Sequence, residues 1–368
     1  MNIVFRCDAS IQIGTGHVMR CLTLADELAR QGTKCHFICR EHEGNLIDFI
    51  TQKGYKVYKL EAILLNNSNK DEAEPTLFHP EWLGTSQAED AKQSINIVST
   101  IEPEWLIIDH YALNDYWEQK LRPHCDSILV IDDLADRKHD CEILLDQTFG
   151  RSKQDYQDLV PDHCKVFCGT TYALLRPEFS KLRQYSLERR KNNTLEHILV
   201  NLGGVDKDNL TSKILDTLKQ APLPELCKIT IVMGSSSPWI DAVIEKAEQL
   251  PWSTEVKTGV SNMAELMANS DLAIGAAGST SWERCCLGLP TLMLVLAENQ
   301  LLIAKNLEDA GAVFLVKLSK GLITDLSLDF ISREDNLHRM SEAASLICDG
   351  LGAQRLLKLL SNTAKDKI

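Results

Sequence analysis

Residues 8–28 read D-A-S-I-Q-I-G-T-G-H-V-M-R-C-L-T-L-A-D-E-L and follow the apolar run Ile3-Val4-Phe5. Apolar side chains recur at helical spacing through the second half of this stretch, which predicts an amphipathic helix. A strand, a glycine-containing turn and a helix in this order are typical of the first unit of an open α/β sheet, where ligands bind at the turn. The stretch therefore predicts both a fold class and the position of a site.

The turn combines two glycines with an ionisable side chain. Gly14 and Gly16 allow the backbone to approach a ligand closely, and the following helix directs free N–H groups towards it. His17 lies at the mouth of the predicted site, where an imidazole can act as a general base. A glycine pair before a helix is also common in proteins without catalysis, and a histidine at a helix start can serve only as a cap. The turn alone leaves both interpretations open.

Length, charge and cysteine content restrict the class of protein. A chain of 368 residues suits two ordinary α/β domains better than one. The formal net charge of −13 argues against nucleic acid and anionic membranes as partners. We find no signal-peptide pattern, no membrane span and no C-x-x-C pair among the 12 cysteines, and cysteines such as Cys35, Cys39, Cys285 and Cys286 lie in strand-like and helix-like runs. We therefore expect a cytoplasmic protein with reduced thiols and no bound metal.

Apolar runs of strand length alternate with helical stretches in both halves of the chain. We predict strands at 2–6, 34–39, 56–60, 105–108, 127–131, 141–149, 165–168, 197–201, 228–233, 254–258, 272–274, 291–295 and 313–316. This alternation is typical of parallel sheets with helices on both faces. It predicts two doubly wound Rossmann-like domains, 1–178 and 179–368, that face a cleft. The last helix is a candidate for packing back on the first domain.

Two polar segments interrupt the alternation. Residues 61–87 are rich in asparagine and lack a clear period, which predicts a surface loop able to order over a ligand. Residues 181–193 are highly charged and suit either a linker or an exposed helix.

Polar residues follow several predicted strands of the first half, namely Asp8, Ser10, His17, Asp109, His110, Tyr111, Asp132 and Asp133. Because the carboxyl ends of parallel strands share one edge of the sheet, their recurrence favours a site there. Each acid can equally cap the next helix or close an Asx turn.

The second half contains two glycine turns after predicted strands. The segment N-L-G-G at 201–204 offers Gly203 and Gly204 as a diphosphate turn. The segment G-A-A-G-S-T-S-W-E at 275–283 places small residues at a helix start, which suits a phosphate, and an acid one turn later, which suits a ribose diol. After the next strand, E-N-Q at 298–300 offers amides to a sugar or phosphate.

Taken together, these segments resemble the UDP-2,4-diacetamido-2,4,6-trideoxy-β-L-altropyranose hydrolases of pseudaminic acid biosynthesis, relatives of the MurG-type glycosyltransferases with the GT-B fold. The resemblance spans nearly the whole chain. The matching segments are I-G-T-G-H-V-M-R-C at 13–21, I-D-H-Y at 108–111, Y-A-L-L-R-P-E-F at 172–179, N-L-G-G at 201–204, G-A-A-G-S-T-S-W-E at 275–283, E-N-Q at 298–300 and G-L-G-A-Q-R at 350–355. Ala277 stands where the family often has a second glycine.

The resemblance implies a role for each candidate. His17 would be the base that activates water. Contacts to the sugar side of the substrate would come from Asp8, Ser10, Gly14, Gly16, Arg20, Tyr111, Asn299 and Gln300. The UDP moiety would be held by Gly203, Gly204, Gly275, Gly278, Ser279, Thr280 and Glu283. The expected partner is a small UDP-sugar, and no cofactor is expected.

Three other functions use parts of the same site. A MurG-type glycosyltransferase shares the UDP site but passes the sugar to an acceptor, and a hydrolysing UDP-N-acetylglucosamine 2-epimerase needs acid and base groups on both faces of C2. A nucleotide-sugar sensor needs the UDP site but not His17. The sequence leaves the preferred sugar and the oligomeric state open.

Overall fold

The computed structural model describes residues 1–61, 77, 79–192, 194–204, 206–235, 237–319, 322–323, 326, 328 and 335–365. The chain divides into two units, Met1–Leu174 with Gly352–Ile368, and Leu175–Leu351. Each unit contains a parallel sheet flanked by helices, so the predicted α/β fold with two domains is confirmed.

The sheet of the first unit consists of β1 (Asn2–Cys7), β2 (Lys34–Arg40), β3 (Lys56–Leu60), β4 (Trp105–Asp109), β5 (Ile128–Ile131), β6 (Ile143–Asp146) and β7 (Lys165–Cys168). The strands are parallel in the order β3-β2-β1-β4-β5-β6-β7. Because this order reverses between β1 and β4, the connections leave these neighbours in opposite directions and open a crevice at their carboxyl ends. Cys7 of β1 pairs with Asp109 of β4, so both strands end at this crevice.

The sheet of the second unit consists of β8 (His197–Asn201), β9 (Lys228–Met233), β10 (Ser253–Thr258), β11 (Leu272–Ala276), β12 (Thr291–Leu294) and β13 (Val313–Leu315). Their order is β10-β9-β8-β11-β12-β13, again parallel, with the reversal between β8 and β11. A short antiparallel pair, β14 (Leu318–Ser319) and β15 (Leu322–Ile323), follows. The two glycine turns follow β8 and β11, the strands that flank the reversal.

The helices are α1 (Gly16–Ala29), α2 (Ile47–Gln52), α3 (Gln87–Ile101), α4 (Asp115–Leu121), α5 (Pro177–Arg189), α6 (Leu210–Leu218), α7 (Ile240–Glu248), α8 (Met263–Ala268), α9 (Thr280–Cys286), α10 (Leu301–Asp309), α11 (Asn336–Ile347) and α12 (Gly352–Lys365). Strands covered on both faces need continuous apolar runs, and β4 and β5 are buried at every position. On one face of the first sheet, Phe5 packs with Leu22 of α1 and Leu356 of α12. On the other face, Val4 packs with Val98 of α3 and Trp117 of α4.

The predicted strands are all present in the described part of the chain, and residues 181–189 of the charged segment belong to α5. Arg183 and Arg190 of this segment donate to backbone carbonyls, among them those of Cys286 and Leu287. The linker interpretation is therefore wrong, because α5 packs on its own unit and buries Arg190.

Most of the predicted loop at 61–87 lies outside the described residues. In its described end, Pro80–Leu83 form a 3-10 turn, and the Ser86 hydroxyl accepts from the Glu89 N–H to cap α3. Among the described residues, no helix is both long enough and apolar enough to cross a bilayer.

Candidate active site

The crevice between β1 and β4 in the first unit contains a histidine and an aspartate in direct contact. His17 lies in the first turn of α1, and Asp109 is the last residue of β4. The Nδ1 atom of His17 lies 2.5 Å from Oδ1 of Asp109. Both side chains are largely buried, His17 at 7% exposed and Asp109 at 0%. The pair therefore lies where doubly wound sheets bind their ligands.

Arg20 holds the other edge of the Asp109 carboxylate. Its Nε and one terminal nitrogen each lie 2.6 Å from Asp109, and its second terminal nitrogen lies 2.8 Å from Asp133. Burial alone raises the pKa of Asp109, but the charges of Arg20 and His17 outweigh it and hold this pKa well below its usual range. At neutral pH, Asp109 is therefore a carboxylate.

This carboxylate determines which ring nitrogen of His17 carries the proton. An ionised Asp109 only accepts hydrogen bonds, so Nδ1 of His17 must donate to it. The Arg20 guanidinium also lies 3.2 Å from Nδ1, but it already donates to Asp109 and the shorter contact prevails. With the proton on Nδ1, the lone pair of a neutral imidazole is on Nε2. Asp109 thus prepares Nε2 to accept a proton.

The loop between β1 and α1 is closed by its own side chains. The Ser10 hydroxyl accepts from the N–H groups of Gln12 and Ile13 at 3.1 and 2.9 Å, and Ser10 pairs with Gly14 in an isolated bridge. Gly14 has a φ of +79°, a Cβ added there would meet no atom within 4 Å, and Gly16 begins α1. Glycine is therefore required at position 14 by this φ rather than by lack of space.

Asp8 lies beneath this loop with no exposed surface. Its carboxylate accepts from Arg6 at 2.7 Å and from the backbone N–H of Arg40 at 2.7 Å, and it lies 3.2 Å from Nε2 of His110. Burial raises the pKa of Asp8, but the charge of Arg6 outweighs it and the net shift is well downward. The contacts of Asp8 in this structure therefore join the ends of β1, β2 and β4.

Three aromatic rings line the site beside His17, and two of them were not predicted. The Tyr111 ring meets the His17 ring edge-on, with centroids 4.6 Å apart and planes at 87°. Trp82 lies nearly parallel to Tyr111 at 5.6 Å, and His79 lies on Trp82 at 3.9 Å. Burial and the charge of Asp133 raise the pKa of Tyr111 well above its usual value, so its hydroxyl stays protonated.

In the second unit, the turn after β11 is supported by a buried arginine. Arg284 donates to the Ala276 carbonyl at 2.6 Å and to the hydroxyls of Ser281 and Thr280 at 3.1 and 3.3 Å. A Cβ on Gly275 would lie 2.4 Å from this guanidinium, so a larger residue there would displace Arg284. By contrast, a Cβ on Gly278 would meet nothing within 4 Å. Gly275 thus makes room for Arg284, whereas Gly278 leaves the surface of the turn open.

The turn after β8 is open in the same way. Gly203 has a φ of +96°, and a Cβ there would meet nothing within 4 Å. The backbone of Gly204 approaches Gly234 so closely that a Cβ on Gly234 would lie 1.9 Å from the Gly204 carbonyl oxygen. The turns after β8 and β11 therefore lie on either side of the strand reversal, and their glycines and Ser279 include exposed and partly exposed residues.

Glu283 lies in α9, and its carboxylate is 3.7 Å from Arg176. Burial raises the pKa of Glu283 to about 7, although Arg176 and Arg284 oppose this shift. Farther along the chain, Asn299 and Gln300 occupy a 3-10 turn, where the Gln300 side-chain carbonyl accepts from the Leu296 N–H at 2.9 Å. Both side chains are partly exposed.

Comparison with known proteins identifies the family. Residues 197–346 match the glycosyltransferase family 28 C-terminal domain. The chain is 31% identical over 280 residues to the UDP-2,4-diacetamido-2,4,6-trideoxy-β-L-altropyranose hydrolase of Campylobacter jejuni, covering 76% of this chain and 86% of that protein. The chain belongs to the family of these hydrolases.

Two further comparisons extend over most of this chain. The chain is 26% identical over 306 residues to the protein MJ1062 of Methanocaldococcus jannaschii, which covers 82% of this chain but only 56% of that protein. The crystal structure of MurG from Acinetobacter baumannii superposes with a TM-score of 0.69 at 16% identity, covering 98% of this chain and 99% of MurG. At this identity, the likeness to MurG establishes the fold alone.

The structure brings the predicted residues together within each unit. Asp8, Ser10, Gly14, Gly16, His17, Arg20 and Tyr111 all lie at or beneath the crevice of the first sheet. In the second unit, the glycines, Ser279, Thr280 and Glu283 lie on the turns that flank the strand reversal or on α9, and Asn299 and Gln300 follow β12. The described residues contain no group of three His, Cys, Asp or Glu side chains suited to a metal ion.

Proposed function

We propose that this chain hydrolyses a UDP-sugar, releasing UDP and 2,4-diacetamido-2,4,6-trideoxy-L-altrose with inversion at the anomeric carbon, as a step of pseudaminic acid biosynthesis. The observation that carries the proposal is the contact between His17 and Asp109 at the strand reversal, in a chain of this hydrolase family. A nucleotide-binding protein without catalysis has no need of a buried, oriented imidazole at that position.

The proposed reaction requires one base. Nε2 of His17 removes a proton from water, the water oxygen bonds to the anomeric carbon, and the bond from that carbon to the UDP oxygen breaks. Inverting glycosidases normally protonate the leaving group as well. The UDP diphosphate leaves without a proton, because hydrogen-bond donors fixed around it can stabilise its charge.

The UDP-binding residues are proposed on chemical grounds. Backbone N–H groups of the turns at Gly203, Gly204, Gly275 and Gly278, with the Ser279 and Thr280 hydroxyls, can donate to the phosphates. The carboxylate of Glu283 can accept from the ribose hydroxyls. Arg20 and Tyr111 with the first loop, and Asn299 with Gln300, are proposed to position the sugar.

A panel of UDP-sugars, each incubated with the protein and followed by proton NMR, tests the proposal. We expect UDP and a free 2,4-diacetamido sugar with no acceptor present. His17→Asn should lose about 10²-fold or more in rate, the contribution of a general base, while UDP binding measured by calorimetry persists. His163→Asn, at a histidine of the same unit whose side chain is 57% exposed, is the matched control and should retain the rate. A near-normal rate for His17→Asn would reject the assignment.

A MurG-type glycosyltransferase is the second candidate, favoured by the match of residues 197–346 to the glycosyltransferase family 28 C-terminal domain. The same NMR experiment separates the two activities. Free sugar formed in the absence of an acceptor excludes both the transferase and a non-catalytic sensor. Retained configuration at C2 excludes a hydrolysing 2-epimerase.

A further inference from the structure

We propose that His79, Trp82 and Tyr111 form an aromatic platform that binds an acetamido methyl group of the sugar beside His17. This inference rests on the proposed function and adds a substrate-recognition element to it. Trp82 and His79 lie outside every motif that carries the family resemblance, so neither the motifs nor the comparisons assign them a role.

The three rings form one stack, in which His79 lies face to face on Trp82 with centroids 3.9 Å apart. The ring planes are nearly parallel, at 4° between His79 and Trp82, 22° between Trp82 and Tyr111, and 21° between His79 and Tyr111. The His17 ring stands across this stack, at 87° to Tyr111 and 76° to Trp82, with centroids 4.6 and 6.5 Å away. A group resting on the platform would therefore be adjacent to the base.

The platform is held in place from beneath. Trp82 belongs to the 3-10 turn Pro80–Leu83, whose Leu83 is 1% exposed and packs in the core. The turn ends at Gly84, where φ is +69° and a Cβ would lie 2.8 Å from the His42 ring. A surface fixed in this way loses little conformational entropy when it binds a ligand. Trp82 and His79 nonetheless remain partly exposed, so the platform has surface available for contact.

The chemistry of the rings selects the group they bind. Aromatic faces offer a large apolar area, and a planar acetamido group can lie flat on them with its methyl in contact. A sugar with two acetamido groups presents two such methyls. The charged groups near the rings are paired with one another, Arg20 with Asp109 and Asp133, and Arg137 with Asp132. Because Tyr111 is buried and the Arg137 guanidinium lies 6.0 Å over its ring, the apolar surface available to a ligand is that of Trp82 and His79.

A matched pair of substrates tests this role. One is the UDP-2,4-diacetamido sugar, and the other is the same compound with both acetyl groups replaced by formyl, which removes only the methyls. For the wild-type protein, we expect kcat/KM to favour the acetyl substrate by about 10- to 200-fold per recognised methyl. Trp82→Ala should remove most of this preference by lowering kcat/KM for the acetyl substrate, with less than about a threefold change for the formyl one.

Variants and a binding measurement complete the design. Trp82→Phe keeps a ring and should restore much of the preference, whereas Tyr116→Ala removes an aromatic ring that is 39% exposed on the same unit and should change nothing. Saturation-transfer NMR on the free 2,4-diacetamido sugar should show strong methyl signals with the wild-type protein and weak ones with Trp82→Ala.

The outcomes separate the two proposals. Equal rates for both substrates with the wild-type protein would overturn the platform and leave the hydrolase intact. An equal loss on both substrates in Trp82→Ala would also overturn it, because the ring would then only support His17. If neither substrate is hydrolysed by the wild-type protein, the proposed function fails. The saturation-transfer measurement does not depend on hydrolysis, and methyl signals that are unchanged in Trp82→Ala would reject the platform.

Discussion

Replacing Asp109 with asparagine tests the assignment of Nε2 as the base. The change keeps the shape of the side chain but removes its negative charge. The Asp109 carboxylate accepts one hydrogen bond from His17 at 2.5 Å and two from Arg20, each at 2.6 Å. The new amide can present its NH2 group to Nδ1 of His17, which then accepts and shifts the ring proton to Nε2. A base in the wrong tautomer loses about 10⁴-fold in kcat in hydrolases that rely on such a pair. We therefore expect kcat to fall by about 10²- to 10⁴-fold.

The same substitution carries a cost in stability, which must be measured separately. Breaking a buried ion pair lowers the free energy of unfolding by about 3–5 kcal/mol, and here Arg20 keeps Asp133 as a partner, so we expect the lower end. Thermal unfolding followed by circular dichroism gives this loss, and calorimetry with UDP tests whether the nucleotide binding proposed for the second unit is the same in the variant and the wild-type protein. Rates are then compared at a temperature where the variant is fully folded.

Asp133→Asn is the matched control. Asp133 also contacts Arg20, at 2.8 Å, but it makes no hydrogen bond to His17 among the contacts described. Asp133→Asn should therefore leave the tautomer of His17 unchanged. We expect its kcat to stay at least about tenfold above that of Asp109→Asn. Equal losses in both variants would refute the tautomer argument, since the effect would then pass through Arg20 alone.

The second unit offers three further predictions. Burial raises the pKa of Glu283 to about 7, and only its carboxylate form can accept hydrogen bonds from both ribose hydroxyls. Binding of an unreactive UDP-sugar analogue should therefore tighten as the pH rises towards 7 and level off above it. Calorimetry should find no such pH dependence in Glu283→Gln. Gly275→Ala should lower the free energy of unfolding by about 1–3 kcal/mol in denaturant titrations, because its Cβ would overlap the Arg284 guanidinium. Gly278→Ala meets no neighbouring atom and should leave that stability nearly unchanged, yet it should weaken UDP binding if the phosphate approaches the turn; unaltered affinity would exclude Gly278 from the site.

The fold could be predicted because each strand carries its own signal. Continuous apolar runs such as 105–108 are long enough for one strand and are bounded by polar residues, so periodicity locates them. The strand at 143–146 is shorter than the predicted 141–149 because the chain turns at Asp146, whose carboxylate accepts from the Thr148 N–H at 2.7 Å. The residues of that turn are buried but do not continue the strand. A prediction that extends the strand over them is therefore too long, because a buried segment need not be extended.

The site could be predicted only as far as it is local. His17 was found because the glycine turn that carries it is contiguous in sequence, whereas its partner Asp109 lies 92 residues away and stood out only as one of several acids after strands. Trp82 and His79 were missed because they lie in the segment 61–87, which has no clear period, and nothing in their spacing indicates a stack. The one available signal was the presence of aromatic residues in an otherwise polar loop. Similarly, no pattern indicates that Gly275 is needed to accommodate Arg284.

The division of roles between Asp109 and Arg20 bears on which reaction the site can catalyse. The carboxylate of Asp109 is bound twice by the Arg20 guanidinium and lies 2.5 Å from Nδ1 of His17, so it fixes the orientation of the imidazole. An oriented base of this kind suits a reaction in which the leaving group departs readily, because little of the barrier then depends on proton transfer. UDP is such a leaving group, and interactions that strengthen as its charge develops lower the barrier directly. The same base would activate an acceptor hydroxyl as well as water, so the groups around Nε2, not the base itself, must determine whether the sugar is hydrolysed or transferred.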